Sequence, residues 1–559
     1  MKRAPRITIA AALGTLLLAG LVVIVAQVNR YGSPMLAEAN RHKILLLTVG
    51  SEPRALDPDL TNGVPEFKIE SALFEGLVNS DPKDGSNWIP GVAESWEHSD
   101  DYSAWTFHLR NNAKWSNGDP VSANDFVFSI KRVLTPSLGS PFSEFAFVIR
   151  GAKEYLGGEI RDFGQVGVYA LDRQTVRFDL IGPDPYFLAL LTLNSFLPVH
   201  MPTVLRFGTI GQRDTKWTAP ENFVGNGPFV LKSWRKNDVI EVVKSPTYWD
   251  ADRVKLNGVN FYSIESISTA DRAFRAGQLH ITQSVPLDRI PSYRREEPQV
   301  LQISPLLGVY YYVLNVTRKP LDDPRVRLAL SLAVDRESLV RDVLRANQIS
   351  ASGFIPPGIR DYPINHQIVY DPYRARQILA QAGYPGGHGF PKLNISINTS
   401  ESHRTIAEAI QQMWREELNI DVGIQNQEWK VYLDSVHQKH YEIARSGVYG
   451  IPDPAAFLRG WTTGSPDNAS GWANTRYDNL LSASDQTGDL SERLALLHQA
   501  EDQFLSQSPV IPIYWYTSCY LLHPSVLGWY PNAVDIHPYK FVDLKPLDEF
   551  SVTKVSRNP

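Results

Sequence analysis

A single cysteine, Cys519, stands in a chain of 559 residues. One thiol excludes an intrachain disulfide and leaves no Cys-based zinc site. It follows Ile511-Pro512-Ile513-Tyr514-Trp515-Tyr516 and reads as a buried small hydrophobe. A long basic run is also missing and the formal net charge is −5, which argues against nucleic acid as a partner. No solenoid-type repeat or low-complexity tract is visible. Neither His-Glu-x-x-His nor Gly-x-Ser-x-Gly occurs, the local patterns that place a zinc ion or a serine nucleophile. Carboxylates are abundant, but alone they usually form a solvated face. The expectation is therefore a non-enzyme with no metal or cofactor. An exported hydrolase is the weaker alternative, to be established by peptide turnover.

What is present points to a large exported body. A chain of this length exceeds what one hydrophobic core serves, so two or more lobes are expected. Aromatics make up 11% of the residues, which suits a site gripping extended, varied ligands, though a large core uses them too. Within residues 1–6, Lys2, Arg3 and Arg6 precede an uncharged apolar run, Ile7 to Val28. A secretory h-region spans about 7–15 residues and a bilayer-crossing helix roughly 20. The run fits the second class, and Ala37-Glu38-Ala39 lies too far downstream to be its cleavage site. Residues 7–28 are read as an uncleaved anchor in the inner membrane, with the body outside. A long cleaved signal peptide is the alternative, and export is common to both. Residues 29–42, polar and small, read as a tether.

Periodicity marks the elements of the body. Trp105, Phe107 and Leu109 alternate as a half-buried strand, and Asn117-Gly118-Asp119-Pro120 is a turn. Ser122-Ala123-Asn124-Asp125 opens a helix carrying Phe126, Val127, Ile130 and Val133. Trp96, Trp105 and Trp115 read as core aromatics. Leu231 to Val243 suggests a hairpin through Lys236-Asn237-Asp238. Asp323 can cap a helix whose first residue is Pro324, where the missing N–H costs nothing. Leu393, Ile395 and Ile397 form a strand, Ile406 to Leu418 a helix, and Ile420 to Ile424 another strand. A further helix around Ser491 to Ser506 precedes the strand Val510 to Tyr516. The class is α/β with mixed sheets.

Several separated motifs resemble the large extracytoplasmic solute-binding proteins of family 5, which deliver peptides to ABC importers. They are Pro90-Gly91-Val92-Ala93-Glu94-Ser95-Trp96, Trp105 to Arg110, Ala113 to Val121, Ser245-Pro246-Thr247-Tyr248-Trp249-Asp250 and Asp323 to Leu330. Asn398-Thr399-Ser400-Glu401-Ser402-His403, with Asn426 to Lys430 and Ala444-Arg445-Ser446-Gly447, resembles the oligopeptide and murein-peptide branch. The resemblance implies a periplasmic binding protein-like fold, with two large lobes about a hinged cleft plus a smaller extra domain. Lobe I would comprise 43–75, 200–305 and 518–550, the small lobe II 76–199, and lobe III 306–517. Hinges would fall near Ser304–Gly308 and Tyr516–Ser518.

The resemblance also implies a site. His403 and Arg445 would neutralise a ligand's C-terminal carboxylate. The chemistry agrees: His403 falls in the first turn of its helix, where free N–H groups favour an anion, and Arg445 offers a planar fork. As plain structure, His403 decorates a helix and Arg445 joins an ion pair. Trp429 would line a side-chain pocket, with core packing nearly as good a role, and Tyr516 would serve the peptide backbone at even odds with the core. Asn62, Gly63 and Val64 resemble the loop whose backbone pairs with the peptide; an ordinary Asn-Gly turn is the plain reading. Phe142 matches a family tyrosine but lacks its hydroxyl, so packing is favoured. Beyond Gly447 and Tyr449, Ile451 stands where the branch carries the Asp that binds the ligand's ammonium. Asp453 would substitute for it, or else cap the helix beginning at Pro454. The expected partners are an oligopeptide, ABC permease subunits and the inner membrane, with the protein itself a monomer. An anchored peptide sensor or a receptor for a narrower solute is the alternative role.

Overall fold

The computed structural model describes residues 33–547 apart from 62, 86, 450 and 451. The expectations for residues 1–32, anchor and basic region included, lie outside the described residues.

Three sheets carry the body. The first has four strands in the order Ile44–Thr48, Gly258–Tyr262, Val239–Lys244 and Phe229–Arg235. Its last two form the expected hairpin, with Asn237 turning the chain at φ 56°. The second is antiparallel, in the order Ala93–His98, Ala104–Leu109, Thr175–Asp179 and Val168–Ala170. The third has six strands, in the order Ile349–Ser350, Val510–Leu521, Leu301–Leu314, Ile443–Tyr449, Leu393–Asn398 and Val422–Gln427. The last two lie parallel around the helix Glu401–Leu418, because a β-α-β crossover returns the chain in the same direction.

Burial follows from these layers. Along Leu301–Leu314, side chains alternate between the faces of a sheet covered on both sides. Val309, Tyr311 and Val313 enter one core, and Tyr310, Tyr312 and Leu314 another. The first two sheets instead share one continuous core, from Leu45 through Phe107 and Trp115 to Leu544. Two long strands join this body to the third sheet. Leu301–Leu314 and Val510–Leu521 pair antiparallel from Leu301↔Leu521 to Val313↔Val510, and their register breaks between Pro305 and Val309. Pro305 cannot donate to the ladder, so the connection is interrupted where a hinge was expected.

The helices start where their capping residues stand. Ser122 and Asp125 form a reciprocal capping box. Asp323 accepts from the Arg325 N–H, with Pro324 opening that helix. Trp414 is fully buried and donates to the Leu330 carbonyl at 2.9 Å.

The stretch 29–42 differs from the expected tether. Pro34–Arg41 is a helix, capped by Ser33 and started by Pro34. Leu36 and Ala39 bury themselves against Leu46, and Asn40 Oδ1 accepts from the His280 Nε2–H at 2.7 Å. Two apolar residues three apart gave this short helix a face to bury, which its overall polarity masked.

Candidate functional site

A cavity of about 330 Å³ opens where the three sheets meet. Val64 and Lys68 come from the helix Val64–Leu73, Phe142 and Asn194 from the side of the second sheet, Gly447 and Tyr449 from the third, and Asp535 from the C-terminal segment. The wall is largely apolar. Lys68 and Asp535 are the charged groups among its described lining residues.

The strand Ile443–Tyr449 forms one side. Leu301–Leu314 pairs with it along its full length, from Gly308↔Tyr449 to Leu314↔Ile443. On the other side Leu393–Asn398 pairs only at Ile443 and Ala444. Arg445 to Tyr449 therefore have no ladder partner on that side among the described strands. Such an edge is a template for another extended chain.

At the head of this edge sits Arg445. Its Nη2 donates to the Tyr516 hydroxyl at 2.9 Å, and its guanidinium lies 4.9 Å from the Tyr310 ring centroid. No carboxylate comes within 4.0 Å of it among the described residues, and its buried Nε has no hydrogen-bond partner. A cation so withdrawn from water and left without a counter-ion invites an anionic ligand. The expected structural ion pair is not made.

His403 stands beside it. Ser400 caps the helix Glu401–Leu418 and accepts from the His403 N–H. His403 Nδ1 lies 3.5 Å from the Tyr310 hydroxyl. Burial, and then the Arg445 charge, push the imidazole pKa down to about 2, so the ligand-free ring is neutral. The Tyr310 ring stacks on Tyr514 with centroids 4.8 Å apart and meets Tyr516 edge-on. Stacking of this kind fixes the orientation of all three phenols.

Glycine is required at Gly447. A Cβ there would lie 2.5 Å from the Tyr516 hydroxyl and 3.3 Å from its ring, so the strand and the tyrosine touch directly. Tyr449 meets the Tyr516 ring edge-on at 6.1 Å.

The remaining expected residues divide. Gly63 precedes the helix Val64–Leu73, and with Val64 and Phe142 it lines the cavity; Asn62 lies outside the described residues, as does Ile451. Phe142 is thus placed at the cavity wall rather than deep in a core, against Phe145 at 5.6 Å. Trp429 is 52% exposed and stacks on Tyr432, whose hydroxyl donates to the Arg445 carbonyl. It packs on Tyr432 at the surface rather than filling a core.

Asp453 is not brought to the cavity. It is 2% exposed, caps Pro454–Leu458 through the Ala455 N–H and pairs with buried Arg493 at 3.3 Å. The helix-capping alternative is the one realised.

Sequence reasoning passed over Tyr310, Lys68 and Asp535. Tyr310 lay in an unbroken aromatic run that reads as core. Asp535 sits in an aperiodic segment with no pattern to mark it. Among the described residues no group of His, Cys, Asp and Glu is placed to hold a metal ion.

Known proteins resemble this chain in sequence and fold. Residues 87–469 match the family described as bacterial extracellular solute-binding proteins, family 5. The periplasmic oligopeptide-binding protein OppA of Escherichia coli is 35% identical over 538 residues, 94% of this chain and 95% of that protein. The periplasmic murein peptide-binding protein MppA of Escherichia coli is 36% identical over 494 residues, covering 87% and 90% of the two chains. A solved structure of the Escherichia coli murein tripeptide-binding protein MppA superposes with a TM-score of 0.83 at 35% identity, covering 89% of this chain and 98% of that chain. Its unliganded open form scores 0.67 at the same identity, covering 90% and 97%. The fold is periplasmic-binding-protein-like, with mixed sheets in several lobes.

Proposed function

The chain belongs to family 5 of the bacterial extracellular solute-binding proteins, and from that premise we propose that it captures oligopeptides between its lobes and delivers them to an ABC importer. One observation carries the reading: the open strand edge Arg445–Tyr449 begins at a half-buried cation with no carboxylate within 4.0 Å among the described residues. An extended peptide adds to that edge through main-chain hydrogen bonds, which is recognition largely independent of side chains. Its C-terminal carboxylate meets Arg445 in a charge-assisted bond. His403, neutral before binding, offers one ring N–H and gains a positive charge and a second N–H when it takes up a proton. Gly63 and Val64 approach the peptide from the opposite lobe, while Phe142, Trp429, Tyr449 and Tyr516 bound the space for its side chains.

The protein performs no chemistry on its ligand in this reading. It works as a monomer outside the inner membrane, to which residues 7–28 export and tether it, and hinge closure presents a closed surface to the permease. Native mass spectrometry of the purified protein, followed by denaturation, tests the ligand class. Heterogeneous short peptides are expected, and a single non-peptide solute would refute the reading.

A further inference from the structure

The cavity carries a negative charge on the wall it shares with Tyr449. Asp535 is the sole carboxylate among the described residues lining it. Its Oδ1 lies 3.0 Å from the His537 ring, and its Oδ2 lies 3.9 Å from Lys68 Nζ. A strong N⁺–H···O⁻ bond is about 2.7–2.9 Å long, so Lys68 leaves Oδ2 able to take a closer cation.

The turn is built to hold this residue in place. Asp535 adopts φ 53°, in the left-handed region that few side chains occupy. Asn532 locks it: its Oδ1 accepts from the Val534 and Ile536 N–H groups at 3.3 and 3.2 Å, and its Nδ2 donates to the Ile536 carbonyl at 2.8 Å. Burial pushes the carboxyl up, but the Lys68 charge and the His537 hydrogen bond more than offset it and keep the group below its ordinary range, so at neutral pH it is ionised while the ligand amine is protonated.

Strand geometry connects this end to Arg445. From Arg445 to Tyr449 is four residues, about 13 Å at roughly 3.3 Å each. An extended peptide of about three or four residues spans that length. With its carboxylate at Arg445, its ammonium falls at the Tyr449 end, where Asp535 lines the wall. An ammonium buried there without a partner would be costly, and Asp453 is already committed to Arg493 and its helix cap.

We infer that Asp535 receives the α-ammonium of the bound peptide, so that the anchor for the free amino end comes from the C-terminal segment and not from the loop after Gly447. This assignment rests on the peptide reading above.

Calorimetry on the full-length protein, stripped of ligand and held in detergent, tests it with trialanine and N-acetyl-trialanine. The wild type is expected to bind trialanine at least tenfold more tightly than the acetylated form. Asp535→Asn should weaken trialanine at least tenfold and leave N-acetyl-trialanine within twofold. Asp535→Gly, which suits the left-handed backbone, should do the same and guards against misfolding of the first variant. Unchanged trialanine affinity in both variants, or equal weakening of both ligands, would overturn the anchor while leaving the peptide reading standing. A wild type that binds no peptide would sink that reading and the anchor together.

Discussion

Peptide binding should draw a proton into the site, because His403 is neutral in the ligand-free protein. Its pKa lies near about 2, depressed first by burial and then by Arg445. A ligand carboxylate between His403 and Arg445 favours the imidazolium and offsets the arginine's repulsion. If it restores an ordinary value of about 6.5, affinity strengthens as pH falls through that value and continues to do so towards the depressed one. At pH 5 the gain over pH 8 is about 30-fold, or about 2 kcal/mol. Isothermal titration calorimetry in buffers of different ionisation enthalpy should find that wild type takes up about one proton more than His403→Gln at pH 5.

Another group titrates near the cleft. Glu144 is carried up to about 7 by burial and by Asp467 beside it, so closure involving that contact also favours low pH. His403→Gln isolates the first effect: the mutant keeps the Glu144 contribution and the ligand amine, but loses the histidine's share. Trialanine amide, which lacks the carboxylate, should show no His403-dependent gain in the wild type. Equal pH slopes in wild type and His403→Gln would refute the reasoning.

Two more outcomes follow from packing. Gly447→Ala would drive a Cβ into Tyr516, which Arg445 and two neighbouring rings hold in place. Overpacking of this kind costs about 1–3 kcal/mol, and calorimetry should find weaker binding of trialanine with a lowered melting temperature. Arg493→Leu would remove the buried partner of Asp453 and the positive charge facing buried Asp184, whose carboxyl is already raised to about 6, chiefly by desolvation. Breaking a buried pair costs about 3–5 kcal/mol. Chemical denaturation should show that loss at pH 8 and a smaller one at pH 5, where Asp184 is protonated; a loss independent of pH would contradict the account.

The elements most legible in the sequence were those whose cause is local. Asp323 ahead of Pro324 starts a helix through its own side chain, and the alternation of Leu393, Ile395 and Ile397 needs only one covered face. The hairpin across Asn237 depends on a residue that tolerates positive φ. His403 could be placed in the first turn of its helix because Ser400 caps that helix from three residues away. The helix Pro34–Arg41 was missed because a polar composition hid a face of only two apolar residues. Asp453 offered two local roles, and the choice turned on Arg493, forty residues away, which arrives buried beside it.

What the sequence alone determined was the α/β class, most of the helix starts and the strand periodicity. These depend on neighbours within a few residues, where capping, backbone preference and burial period act. Tertiary structure alone decided that Arg445 has no carboxylate partner among the described residues, that five of the seven residues along one strand edge lack a ladder partner there, and that Asp535 lines the same cavity as Gly447. Those facts depend on which distant segments meet and which polar groups are left over when they do. A charge's partner is set by proximity in space, and no short-range pattern in the chain records it.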